Sequence, residues 1–116
     1  MDNYELAILV RFDLHMSKNE LSKQIAHIMV DAILQAQYNF KLQRWRQDNE
    51  NIIILGVDNK IELLKILDNA KDNKINCGYS IDNKINELNP ETITVGFVGP
   101  ALQYKITYLT KELKLL

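Results

Sequence analysis

Short apolar runs alternate with amphipathic stretches along this chain, and the alternation predicts both strands and helices. Two uninterrupted apolar runs, residues 6–10 and 52–57, are typical of strands buried on both faces of a parallel or mixed sheet. Shorter runs at residues 77–81 and 93–98 predict a third and a fourth strand. The polar loop between these two is too short for a helical crossover, so we expect them to run antiparallel.

Apolar positions at helical spacing predict a long helix after the first strand. Ser17 opens this helix and forms with Glu20 the pattern S-x-x-E, a capping box in which the hydroxyl and the carboxylate each bind an unpaired backbone N–H. The apolar spacing continues to about Gln37, and a shorter helix is expected within residues 38–49. One face of the first helix is therefore predicted to be buried.

Two further helices are predicted in the second half of the chain. Asp58 or Asn59 caps the third, which ends within residues 72–74, and the dipeptide Gly99-Pro100 turns the chain into the fourth. The apolar positions of the fourth helix are Leu102, Ile106, Leu109 and Leu113. The order βα(α)βαββα predicts one α/β domain over residues 1–116, with three α/β/α layers and a four-stranded mixed sheet.

The composition is that of an ordinary globular protein. Hydrophobic residues make up 47% and charged residues 25% of the 116 positions, which suffices for a core without disulfides. Cys77 is the only cysteine, so no internal disulfide forms. No apolar run approaches the ~20 residues of a membrane helix, and the acidic N-terminus does not resemble a signal peptide. We therefore expect a cytoplasmic protein with no membrane partner.

The net charge of −1 separates this chain from most nucleic-acid-binding domains, which are basic because they neutralise phosphates. One local cationic cluster is present, formed by Lys41, Arg44 and Arg46. Such a cluster is more often a solvated helix face than a phosphate site.

Sequence motifs that hold cofactors are missing. The chain has neither a G-x-G-x-x-G nor a Walker loop to cradle phosphates, and no G-x-S-x-G elbow for a nucleophilic serine. His15, His27 and the distant Cys77 do not have the spacing of a zinc site. The sequence therefore predicts no metal and no cofactor.

Candidate chemistry lies in two loops at carboxyl ends of strands, where open sheets usually bind ligands. Residues 11–18 follow the first strand and Asp82 follows the third, and we expect packing to bring the two loops together. Asp82 and Glu87 carry carboxylates suited to acid–base work, although loop carboxylates are usually only solvated. His27 alone would more often be a packed histidine that hydrogen-bonds a neighbour, and Cys77 a small core residue.

Residues 9–18, L-V-R-F-D-L-H-M-S-K, followed by Gln24 and His27, resemble the signature of type 2 peptidyl-tRNA hydrolases, V-V-R-x-D-L-K-M-G-K-G-K-x-A-A-Q-x-x-H-A. The other agreements, in order along the chain, are Leu42, Trp45, Asp82, Thr94-Val95, Gly99-Pro100 and Leu113-Lys114-Leu115. The resemblance covers nearly the whole chain. It implies an enzyme that hydrolyses the ester between peptide and tRNA, and a homodimer, since family members commonly pair.

The resemblance also implies roles for individual residues. The essential groups proposed for that family are a lysine, an aspartate and a threonine four residues after the aspartate. Asp82 matches the aspartate, whereas Glu20 stands at the lysine position and Asn86 at the threonine position. Asp82 is thus expected to orient or activate water, with support from His27 and Gln24. Lys84, two residues after Asp82, is a candidate for the missing cation.

Substrate binding is expected from four side chains around these positions, which are Lys18, Gln24, Lys84 and Asn86. Glu20 has two interpretations: a rewired general base, or a capping-box residue that stabilises the helix by about 0.5–2 kcal/mol and repels phosphates. Three functions therefore compete: a divergent peptidyl-tRNA hydrolase, a non-catalytic binding or regulatory module, and an enzyme for a different small substrate. The hydrolase is the leading interpretation.

Overall fold

The computed structural model describes residues 3–82 and 91–116. Nine helices and strands follow one another in these residues: β1 (Tyr4–Arg11), α1 (Lys18–Gln35), α2 (Phe40–Gln47), β2 (Asn51–Val57), α3 (Lys60–Asp72), β3 (Cys77–Asp82), β4 (Thr92–Leu102), α4 (Gln103–Thr110) and β5 (Lys114–Leu115). A 3-10 turn, Phe12–Leu14, follows β1. The predicted order of strands and helices is confirmed as far as α4.

The strands form one mixed sheet in the order β3-β4-β1-β2-β5. β1 runs parallel to β2 and antiparallel to β4, and β4 is antiparallel to β3, as the short loop between them predicted. The expectation of four strands is wrong, because β5 adds a fifth. It pairs antiparallel with β2 through Leu55↔Leu115 and Gly56↔Lys114, and two residues are too few to leave a pattern in the sequence.

The C-terminal helix is shorter than its apolar spacing predicted. α4 ends at Thr110, and Leu113 lies in a turn in which its N–H donates to Thr110 O at 2.9 Å. Leu113 still packs against the core beneath α3 and α4. A leucine that reaches the core from a turn has the same spacing as one on a helix, so the pattern could not locate the end of α4.

Gly99-Pro100 does not end β4 as predicted, but lies inside the strand. The β1–β4 register shifts between Glu5 and Ala7, so a bulge accommodates the dipeptide. Proline lacks the N–H that a regular ladder needs, and it is tolerated in a strand at such irregularities. Gly99 has φ +114, and a Cβ there would approach Glu5 O to 2.7 Å, so only glycine fits.

Helices cover both faces of the sheet and make three layers. α1 and α2 pack on one face with the even-numbered side chains of β1, such as Ile8, and α3 and α4 on the other with odd-numbered ones, such as Leu9. The connections β1→β2 and β2→β3 cross the sheet in opposite directions. Right-handed crossovers therefore require their helices to lie on opposite faces.

Candidate functional site

β1 and β3 end at the same edge of the sheet. Both strands are antiparallel to β4 and hence parallel to each other, so Arg11 and Asp82 lie at that edge, separated by one strand. Two strand spacings amount to about 10 Å. After β1 the chain turns back through Ser17 into α1, which packs over β3 and β4. Arg11 and Asp82, from which the two predicted loops start, therefore lie at the same end of the sheet, and the loop after Asp82 lies outside the described residues.

A chain of hydrogen bonds joins α1 to the end of β3 and to β4. Gln24, on α1, donates from Nε2 to Asp82 Oδ2 at 2.8 Å. The other end of the same amide, Gln24 Oε1, accepts a hydrogen bond from Thr94 Oγ1 at 2.7 Å. Gln24 is only 5% exposed and Thr94 is fully buried, whereas Asp82 is half-buried. Burial in a low-dielectric setting makes such bonds costly to leave unmade.

An irregularity in β4 brings Thr94 to this chain. Val95 pairs with Ser80 and Ile93 with Ile81, so Thr94 is an extra residue with no partner on β3 in this register. Val95 packs on the α1 side of the sheet and Ile93 on the α3 side, which leaves Thr94 facing α1 together with Val95. Bulges re-aim side chains in this way. Strict alternation along β4 would have placed Thr94 on the opposite face. The resemblance matched Thr94-Val95 without implying a role for Thr94.

The N-terminus of α1 is capped by half of the predicted capping box. Ser17 Oγ accepts from Glu20 N at 3.2 Å, but the reciprocal bond from Ser17 N to the Glu20 carboxylate is not formed in the described residues. The carboxylate lies instead 3.8 Å from Lys23 Nζ, in an exposed ion pair. The Ser17 half of the predicted capping box is therefore confirmed, and the prediction that Glu20 completes it is wrong.

Arg11 holds the end of β1 in place next to the hydrogen-bond chain. Its Nη1 donates to Ile93 O at 2.8 Å, and its Nε and Nη2 donate to the two oxygens of Asp13 at 3.0 and 2.7 Å. The fork-to-carboxylate geometry is the strong form of this ion pair. Hydrogen bonding from Arg11 holds the pKa of Asp13 below its ordinary value. Arg11 therefore has a structural role at the edge of the site.

His27 lies one turn after Gln24 on α1 and is exposed. Its ring makes no side-chain hydrogen bond to residues 3–82 or 91–116, so the interpretation as a packed, hydrogen-bonded histidine is wrong. Lys18, the first residue of α1, is also exposed, and its carbonyl accepts from Ser22 Oγ at 2.8 Å. Residues three apart on a helix are neighbours, so His27 and Gln24 share one side of α1.

Three of the predicted site residues, Lys84, Asn86 and Glu87, lie outside the residues that the structure describes. The others divide into two groups. Gln24 and Asp82 are in direct contact, and Lys18 and His27 are exposed on the helix that carries Gln24.

The cationic cluster on α2 lies at the far end of the sheet from Asp82. Arg44 stacks over the ring of Tyr4, with Cζ 5.4 Å from the ring centroid, and Tyr4 begins β1. A strand of eight residues places this point about 23 Å from the end where Arg11 lies. Arg46 pairs with Glu50 at 3.3 Å. These contacts favour a solvated helix face over a phosphate site adjoining Asp82.

The opposite face of the sheet carries a groove of about 350 Å³ between α3 and α4, which Lys65, Asn69 and Tyr108 help to line. It shares no residue with the hydrogen-bond chain. Cys77 is buried in the same half of the molecule, as predicted, and burial raises the pKa of its thiol. In the described parts of the chain, no three His, Cys, Asp or Glu side chains cluster so as to hold a metal ion.

Comparison with known proteins identifies the fold and the family. A family model described as Peptidyl-tRNA hydrolase PTH2 matches residues 4–116. The chain belongs to this family. The resemblance inferred from the signature of residues 9–18 is thereby confirmed.

Individual relatives agree over nearly their whole length. The chain is 32% identical to a peptidyl-tRNA hydrolase of Methanococcus maripaludis strain C7, covering 97% of this chain and 99% of that protein. It is 34% identical to a peptidyl-tRNA hydrolase of Staphylothermus marinus, with 97% and 95% covered. These relatives support a peptidyl-tRNA hydrolase function and do not favour the non-catalytic alternative.

A solved structure with the same architecture is that of a protein of unknown function from Agrobacterium tumefaciens strain C58. It superimposes with a TM-score of 0.66 at 14% identity, over 100% of this chain and 99% of that one. At this identity the likeness shows the fold alone.

Proposed function

We propose that this chain hydrolyses peptidyl-tRNA, releasing the peptide and a tRNA with a free terminal hydroxyl. The observation that carries the proposal is the 2.8 Å hydrogen bond between Gln24 and Asp82, in a chain of the peptidyl-tRNA hydrolase family. This contact holds a half-buried carboxylate at the sheet edge where ligands of open α/β sheets usually bind.

The proposed chemistry is addition of water to the ester carbonyl. The Asp82 carboxylate takes a proton from the attacking water, whose oxygen bonds to the carbonyl carbon. The tetrahedral intermediate then collapses, the bond to the ribose oxygen breaks, and that oxygen receives the proton. Gln24 orients Asp82, and His27 contacts the substrate from the neighbouring turn of α1. The net reaction consumes one water and yields the free peptide acid and the ribose hydroxyl, with no change in oxidation state.

The first two turns of α1 carry charges of both signs, whereas a site that binds phosphates is usually positive. Glu20 would repel tRNA phosphates, while Lys18 and Lys23 in the same two turns offset it. We propose that Lys18 contacts a phosphate from the exposed N-terminus of α1, where the helix dipole adds to its positive charge. Lys84 and Asn86 remain substrate-binding candidates by sequence alone.

Hydrolysis of a purified N-blocked aminoacyl-tRNA at low salt tests the proposal. We expect turnover by the wild type and a loss of about 100-fold or more in Asp82→Asn, with correct folding checked by circular dichroism. Asp72→Asn, an exposed carboxylate at the end of α3, is the matched control and should keep full activity. Turnover that survives Asp82→Asn would refute the assigned role. Absence of tRNA binding would instead favour a different small substrate.

We further propose a homodimer. Val30 and Leu34 are exposed and lie four residues apart on α1, so they share one side of the helix. The exposed Tyr38 follows just after the helix, and these three side chains are the apolar surface that a second copy would cover. Sedimentation should give a dimer that Leu34→Glu dissociates, and a monomeric wild type would contradict the proposal.

A cytoplasmic location is proposed because ribosomes produce peptidyl-tRNA there. None of the helices in residues 3–82 and 91–116 has the length and apolar character needed to span a bilayer. Cell fractionation, with ribosomal proteins as the reference, tests this location.

A further inference from the structure

The amide of Gln24 has one favourable orientation in its surroundings. An ionised carboxylate only accepts hydrogen bonds, so Asp82 requires the NH2 end of the amide, which it contacts at 2.8 Å. The carbonyl end must then point the other way, to a group that donates. Thr94 Oγ1 is that donor at 2.7 Å, and it is fully buried.

The fold places this donor by an unusual local structure. Without the extra residue in β4 between the pairs Val95↔Ser80 and Ile93↔Ile81, the side chain at position 94 would face α3 instead of α1. A bulge disrupts the strand ladder, and here it brings a hydroxyl to the amide oxygen of Gln24. The hydroxyl donates to the amide oxygen, and the NH2 group of the same amide donates to Asp82.

We propose that Thr94 is a positioning residue, whose hydroxyl holds the Gln24 amide in the orientation that fixes the Asp82 carboxylate for ester hydrolysis. Gln24, only 5% exposed, then serves to position Asp82 and is not a substrate contact. The catalytic part of this inference rests on the proposed function, whereas the orientation of the amide can be measured without any activity.

Kinetics of three variants test the catalytic part. Thr94→Val keeps the shape and removes the hydroxyl, and Thr94→Ser restores it. Thr110→Val is the matched control, since Thr110 is also buried and donates to Ile106 O on the opposite face of the sheet. We expect Thr94→Val to lower kcat about tenfold or more with KM within about twofold, because misplacement of a catalytic group affects the chemical step. Thr94→Ser should recover most of kcat, and Thr110→Val should lose none.

Equal kcat in wild type and folded Thr94→Val would overturn the proposal, as would equal losses in Thr94→Val and Thr110→Val. A second measurement uses the Gln24 side-chain NH2 signals in a 15N correlation spectrum. Their exchange with water should be slow in wild type and Thr94→Ser and faster in Thr94→Val, and unchanged exchange would overturn the orientation.

Two remaining outcomes are also decided. If the wild type shows no hydrolysis dependent on Asp82, the proposed function fails, and the NH2 exchange alone tests the role of Thr94. If Thr94→Val does not fold, the proposal is tested in the wild type by the exchange rate of the Thr94 hydroxyl proton. A protected proton with a nuclear Overhauser contact to Gln24 supports the proposal, and exchange as fast as that of an exposed threonine overturns it.

Discussion

Gln24 and Asp82, 58 residues apart in the sequence, share a 2.8 Å hydrogen bond that ties the first helix to the end of β3. The bond connects α1, which follows the turn after β1, to Asp82, the last residue of β3. Because Thr94 binds the same amide from beneath, three segments of the chain depend on one side chain. The local geometry of the site therefore depends on Gln24.

Replacing Gln24 by leucine should destabilise the protein by about 1–3 kcal/mol, because the buried Thr94 hydroxyl loses its acceptor. Urea unfolding of the two proteins measures the difference. Gln35→Leu is the matched control on the same helix, where an exposed glutamine donates to Cys77 O at 3.1 Å. If Gln24→Leu costs no more than Gln35→Leu, the buried hydrogen-bond chain has no special energetic role.

The sequence predicted most of the fold because β1 and β2 are continuous apolar runs and because α1 and α3 begin at side-chain caps. Asn59, one of two candidates for the cap of α3, accepts from Glu62 N at 2.9 Å, as a capping residue should. The predictions that were wrong concern short or irregular segments. β5 has only two residues, and Gly99-Pro100 lies at a bulge inside β4, where a turn was expected.

For the site, the sequence singled out Gln24 and Asp82 through a family resemblance, and the usual position of ligands beyond the carboxyl ends of strands pointed to the ends of β1 and β3. The resemblance included Thr94 but assigned it no role, because a hydroxyl in an apolar strand gives no sign of the face it will occupy. The bulge that turns Thr94 toward α1 depends on how β3 and β4 pair over a long range, and no local pattern encodes it.

Ser17→Ala should lower the free energy of unfolding by about 1 kcal/mol, because it removes the oxygen that accepts from Glu20 N at the start of α1. Ser22→Ala provides the comparison within the same helix. Its hydroxyl only bonds back to Lys18 O at 2.8 Å, and alanine is the better helix former, so stability should stay constant or rise by up to about 0.5 kcal/mol. Thermal or urea unfolding gives both values, and equal effects of the two substitutions would argue against the cap.

Asp13 should make stability depend on pH at the acid end. Hydrogen bonding from Arg11 lowers the pKa of Asp13 from its ordinary value of 3.8 in the folded state only. The unfolded chain then binds the proton first, so this contribution is complete above that value and is lost as the pH falls through the lowered pKa.

The measurement is urea unfolding of wild type and Asp13→Asn between about pH 7 and pH 2. We expect the wild type to have the larger free energy of unfolding at pH 7. The difference between the two proteins should become smaller below about pH 4. Asp31→Asn, an exposed carboxylate on α1, controls for the loss of one charge. A gap that stays constant over the whole range would contradict the role of the Arg11–Asp13 pair.

Glu20→Lys tests what the charge at the opening of α1 does, and it separates the two interpretations of Glu20. If Glu20 repels phosphates, the lysine should raise tRNA affinity and steepen its decline with salt, by about 0.7–0.9 in the log–log slope for each additional phosphate that the protein neutralises. Hydrolysis should then persist or rise. If Glu20 is a general base, Glu20→Lys and Glu20→Gln should both abolish hydrolysis whatever they do to binding.

Glu62→Lys is the control for Glu20→Lys, because it makes the same charge change in the first turn of α3, on the far face of the sheet. An equal rise in affinity from Glu62→Lys would show that net charge alone is responsible, and that the substrate does not lie against the start of α1.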